Sequence, residues 1–198
     1  MTPALQEQLE RIGFLAQQTK QELCAEENGI ADLPATVVVQ IGDEYMCTQS
    51  GIEGNPVDNL PDHLQHIFDS GLRQFDSISL ITDTYMRKAD LKKTPEELAQ
   101  TYVRGQLQQE FKENPFTDVT EGLAILTVMW DDIECAGRFI EYKYDDHGVP
   151  VYTVLDDKDD HEPKGRMSFI MTKFVDFMQR VVHAEATGDM SGFPYMEQ

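Results

Sequence analysis

The side chains best equipped for chemistry are carboxylates, and they crowd into "VLDDKDDHEPKG". Asp156, Asp157, Asp159, Asp160, His161 and Glu162 fall there within seven positions. A helix–loop–helix calcium loop needs oxygens at alternate positions, glycine at the sixth and an acid at the twelfth. Counted from Asp157, the sixth position is Glu162 and the twelfth is Ser168, and the run follows a strand pattern instead of a helix. The calcium-loop reading fails. What remains is solvation, favourable negative charge ahead of a helix start, looser coordination by Asp157, Asp159 and His161, or presentation to a basic partner.

Other candidates are spread along the chain. Asp83 lies midway along the strand pattern "LITDTYM", where a carboxylate is disfavoured, so it is expected to face a solvent-side groove or a partner. Asp131, Asp132 and Glu134 follow "GLAILTVMW" at the C-terminal end of a buried strand, where sites of α/β sheets often lie. Asp83 with Asp131 and Asp132 would suit a divalent-cation-dependent hydrolase, although turn chemistry accounts for "DDIE" as well. His63 and His66 stand three apart on a helix pattern, without the H-E-x-x-H arrangement or a third ligand. The apolar stripe places His66 beside it and His63 toward solvent. A nucleophile elbow is absent, acids around Cys135 disfavour its thiolate, and "GIEGN" lacks the Lys-Ser/Thr ending of a phosphate loop. No cofactor is implied.

The charge balance narrows the partner classes. Thirty-six acids against sixteen bases leave a formal charge of −20. Binding a nucleic-acid backbone requires a cationic face, so direct contact with nucleic acid is not expected. An anionic membrane surface is disfavoured on the same ground. Residues 131–162 carry eleven acids and three bases, whereas residues 163–198 carry four of each. Cys24, Cys47 and Cys135 are odd in number and form no C-x-x-C pair, which points to a reducing cytoplasmic setting without disulfides. The N-terminal segment lacks a signal-peptide pattern, and no apolar run has the length of a membrane span.

The elements that must position these groups follow from periodicity and punctuation. Thr2-Pro3 opens an amphipathic helix running to Asn28-Gly29, with Leu5, Leu9, Ile12, Ala16 and Leu23 inward and Gln, Glu and Lys outward. Val37 to Ile41, Gly42-Asp43 and Tyr45 to Gln49 read as a hairpin. "LPDHLQHIFDSGLRQF" is a second helix, and "SISLITDTYM" is a strand. "TPEELAQTYVRGQLQQEF" carries the capping-box signature Thr94-Pro95-x-Glu97 and reads as a third helix ending at Asn114-Pro115. "GLAILTVMW" is a strand buried on both faces, "RFIEYKY" and "VPVYTVL" form a hairpin around "DDHG", and "MSFIMTKFVDFMQRVVHAEA" is the last helix. The expected order is α-β-β-α-β-α-β-β-β-α. That predicts one α+β domain over residues 1–186, its mostly antiparallel sheet covered by helices, with a tail over 187–198.

The succession "FDSISLITDTYMRK", capped helix, "EGLAILTVMW" and hairpin, over residues 35–155, resembles small uncharacterised α+β proteins of actinobacteria and their phages. Those proteins carry an S-E-A-W-M-like strand sequence, matched here by Thr82-Asp83-Thr84-Tyr85-Met86 with Asp for Glu and Tyr for Trp. The resemblance implies a phage or mobile-element origin and no established activity. The leading expectation is a non-enzymatic interaction protein that offers Asp131, Asp132, Glu134, Asp145, Asp146, Asp156, Asp157, Asp159, Asp160 and Glu162 to a basic protein surface. The hydrolase is the alternative. Oligomeric state is open.

Overall fold

The computed structural model describes residues 1–27, 29–49, 56–88, 118–153 and 166–188. The described elements are α1 (Pro3–Glu26), β1 (Thr36–Ile41), β2 (Glu44–Gln49), α2 (Pro56–Asp69), β3 (Ser77–Lys88), β4 (Asp118–Met129), β5 (Cys135–Tyr144), β6 (Pro150–Tyr152) and α3 (Arg166–Thr187). The strands form one sheet in the order β2-β1-β3-β4-β5-β6, with every neighbouring pair antiparallel. The α+β class is therefore that expected from the sequence. The helix anticipated over "TPEELAQTYVRGQLQQEF", the acidic run Asp156–Glu162 and the end of the tail lie outside the described residues.

Strand residues alternate between two cores. Val37, Val39, Ile78, Leu80, Leu126 and Val128 point toward α2 and α3, meeting Leu60, Leu64, Ile67, Met171, Val175 and Met178. Val38, Ile81, Leu123, Ile125, Ala136 and Ile140 point the other way, toward Leu5, Leu9, Ile12 and Ala16 of α1. The sheet is thus covered on both sides, which is why β3 and β4 lack a simple polar–apolar alternation.

Local signals explain most boundaries. The Thr2 hydroxyl accepts from the Leu5 N–H and caps α1, with Pro3 at the first position. Gly13, a mild helical penalty on propensity alone, faces β5. An added Cβ there would lie 3.2 Å from Ile140 Cδ1, so the glycine lets α1 approach the sheet.

The second helix departs from expectation. It begins at Pro56, runs through Pro61 and stops at Asp69, short of the stripe's end at Phe75. Gly71, at φ 83°, turns the chain out of the helix. Phe75 is buried anyway, edge-on to Trp130 with ring centroids 4.8 Å apart. Burial there comes from a returning loop, and the helical period had no way to separate the two cases.

Candidate functional site

The most connected polar group lies beneath α1. Lys20 is fully buried and its ammonium pairs with the Asp83 carboxylate, whose side chain is 9% exposed. The ammonium also donates to Ala31 O and sits over the Tyr142 and Tyr144 rings, 5.0 and 5.4 Å from their centroids. Asp83 accepts further hydrogen bonds from the Tyr142 hydroxyl and, at 3.0 Å, from the Leu33 N–H. Tyr142 and Tyr144 share a face of β5 by strand alternation, and Tyr152 stands opposite Tyr142 on β6. Tyr152 closes the cluster by donating to Gln17 O at 3.1 Å.

Two sequence expectations are corrected here. Lys20 is inside, not on the outer face of α1: it lies four residues after Ala16 and four before Cys24, on the same buried stripe. Asp83 faces Lys20 and not a groove. The i+4 spacing from Ala16 was the available signal. Residue type points the other way, because a lysine is almost never buried without a partner, and the partner is sixty-three residues away.

The protonation states follow from this packing. Burial alone pulls the Lys20 ammonium down, but hydrogen bonds and charge from Asp83 and Tyr144 outweigh it and the net direction is upward. Burial, reinforced by Asp83, pushes the Tyr142 hydroxyl far up. Lys20 is therefore an ammonium with no free lone pair, and Tyr142 is a neutral donor. Such a centre ties α1, the segment around residues 31–33, β3 and β5 together; a nucleophile or general base would need the opposite protonation state.

The histidine pair does not converge. His63 is half-buried, with Nδ1 3.2 Å from the Thr48 hydroxyl of β2, while His66 is exposed, the reverse of the expected orientations. Desolvation lowers the His63 pKa, against the pull of Asp62. The hydrolase set is likewise dispersed: Asp83 pairs in register with Leu123, eight residues along β4 from Asp131. Among the described residues, no group of three or more His, Cys, Asp or Glu side chains is placed to hold a metal ion. The cysteines are free.

Among the described residues, the expected partner-binding acids fall into two groups. Asp131, Asp132 and Glu134 lie before β5 and Asp145 and Asp146 lie after it. A ten-residue strand therefore separates the two sets by about 33 Å at ~3.3 Å per residue. Glu134 is committed to the start of α1, accepting from the Thr2 N–H at 2.9 Å, and that hydrogen bond holds its carboxyl below the usual range. Asp145 caps its own turn through the His147 and Val149 N–H groups at 2.8 and 2.9 Å, which likewise lowers its pKa. Asp131, Asp132 and Asp146 are exposed. Asp156, Asp157, Asp159, Asp160 and Glu162 lie outside the described residues.

The fold instead assembles an acidic rim at the end of the sheet where β4 passes into β5. Asp76, just before β3, is its clamp. Its N–H donates to Gln40 O at 2.8 Å, its carbonyl accepts from the Trp130 N–H at 2.9 Å, and its carboxylate accepts from the Gly42 N–H. Three connections are thereby joined: the β1–β2 turn, the α2–β3 segment and the β4–β5 turn. Exposed Asp43, Glu44, Asp76, Asp131 and Asp132 come with them. In the last turn Ile133 takes φ 51°, a strained value for a β-branched residue, with its side chain returned to the apolar core. Asp43, Glu44 and Asp76 are 55 and more residues from Asp131 and carry no local motif, so nothing in the sequence alone joins them to it.

Against known proteins, the chain matches no family model, no curated protein and no solved structure.

Proposed function

We propose that the chain is a non-enzymatic binding protein that receives a basic surface of another macromolecule on this acidic rim. The observation carrying the reading is the Asp76 clamp, which draws exposed carboxylates from three separate connections to one end of the sheet. A negative field of this kind steers and orients a cationic partner. The buried Lys20–Asp83 centre ties the scaffold together away from the rim, toward the other end of the sheet, consistent with a role in positioning and not in chemistry.

The test compares the two ends of the sheet at constant net charge. One variant carries Asp43→Asn, Glu44→Gln, Asp131→Asn and Asp132→Asn. The other carries Glu26→Gln, Glu27→Gln, Asp32→Asn and Asp146→Asn, all exposed and at the opposite end. Binding to a poly-L-lysine of defined length is measured at ~0.15 M salt, where charges more than about 8 Å apart are screened. The rim variant should lose at least about tenfold in affinity, worth ~1.4 kcal/mol, while the other loses less than about twofold. Equal losses would reduce the effect to net charge and defeat the proposal.

A further inference from the structure

The rim borders a sheet edge that is open among the described residues. The two edges differ. β6 is three residues long and begins at Pro150, a short, proline-blunted edge of the kind that resists pairing. β2 is six residues long, contains neither proline nor lysine, and exposes Tyr45, Met46 and Cys47.

Hairpin geometry identifies the groups it offers. Gly42, at φ 58°, and Asp43 form a two-residue turn between Ile41 and Glu44. In such a hairpin Ile41/Glu44, Val39/Met46 and Val37/Thr48 exchange the ladder hydrogen bonds. The N–H and C=O groups of Tyr45 and Cys47 therefore point away from β1, toward the place of a seventh strand.

We infer that β2 is a docking edge for an extended basic peptide segment, which adds to the sheet as a strand and carries its cations to the acidic rim. This inference rests on the rim reading and adds the mode and place of binding. Charge decides the occupant. The edge starts beside exposed Asp43, Glu44 and Asp76, and the cation reaching β2 from α1, Arg11, is already paired with Glu7 while touching the Tyr45 hydroxyl. A second copy of this chain would bring another −20 to the same edge. Main-chain pairing supplies affinity in strand addition, and side chains at alternate positions supply selectivity. A lysine-bearing strand meets both requirements.

The probe is a fluorescent nine-residue peptide of alternating valine and lysine with blocked ends, titrated by anisotropy at ~0.15 M salt. Its control is the same peptide N-methylated at every backbone amide, which keeps the charge but cannot donate to the edge from either side. The wild-type chain should bind the first at least about tenfold more tightly than the second. Binding should also slow amide hydrogen exchange at Tyr45 and Cys47. Cys47→Pro removes an outward N–H that proline may lack on an edge strand, so it should keep the melting temperature and lose binding about tenfold.

Equal affinity for the two peptides, or unchanged exchange at Tyr45 and Cys47, would overturn strand addition. If the rim variant still lost poly-L-lysine binding, the broader reading would survive that result. Should light scattering show a dimer that Cys47→Pro disperses, the edge belongs to a second copy and the inference is likewise overturned.

Discussion

The two faces of the sheet solve burial differently. Toward α2 and α3 the core is almost entirely hydrocarbon: Leu60, Leu64 and Ile67 on one helix, Met171, Val175 and Met178 on the other, with Trp130 against Phe75. Toward α1 the apolar residues are interrupted by buried polar pairs. Gln8 donates to the Ser77 hydroxyl at 2.9 Å, Ser79 and Thr127 share a hydrogen bond at 2.8 Å, and Lys20 pairs with Asp83 beneath Tyr142. An apolar face is held by area and shape and tolerates changes that preserve volume. A face with buried polar groups is held by matching, because a group deprived of its partner keeps its desolvation cost.

The largest test of that contrast is Lys20→Met. It should destabilise the fold by about 3–5 kcal/mol in urea unfolding, because it strands the Asp83 carboxylate. Adding Asp83→Leu should return a substantial part of the loss. If the double variant is as unstable as the sum of the single ones, the two faces do not differ in this way.

On the other face, Leu80→Ala should cost about 2–5 kcal/mol through lost burial and the cavity left behind. A second truncation there, Met178→Ala, should deepen the loss. Recovery of stability in that double variant would contradict the hydrocarbon-core description.

Next is Gly122→Ala, where β4 and β5 approach on the edge of both cores. A Cβ would fall 2.3 Å from Phe139 Cζ and 2.7 Å from the Ile140 carbonyl oxygen, and the backbone cannot yield as a ring can. About 1–3 kcal/mol of destabilisation is expected, read as a lowered urea midpoint with unchanged slope.

The smallest effect is on pH dependence. Lys20 and Tyr142 both hold their protons more tightly folded than unfolded. Their contribution is complete below the unfolded values of about 10–10.4 and is lost as pH rises beyond them. Melting temperatures from pH 8 to 11 should fall on the alkaline side, and less steeply in Tyr142→Phe. An identical slope in that variant would remove Tyr142 from the account.

Legibility in the sequence follows the same division. The stripe of α1, the Gly42-Asp43 hairpin, β3, β4 and α3 are all readable because neighbours in the chain enforce period and turn. The positions of Lys20 and Asp83 are not readable in this way, because each makes sense only beside the other. The exchange of His63 and His66 has a similar origin, since Thr48 on a different element draws His63 inward. Acids adjacent in sequence, Asp131–Glu134 and Asp145–Asp146, proved to stand at opposite ends of β5. Distant ones, Asp43 and Asp76, joined the first set.

Composition and periodicity were enough to establish an α+β chain of high negative charge, the hairpin turns and the apolar faces of its helices, since propensity and hydrophobic patterning are local. Which acids face one another, which lysine is buried and which strand remains at the edge depended on antiparallel register. That register is set by packing across the whole sheet, so no short stretch of this chain encodes it.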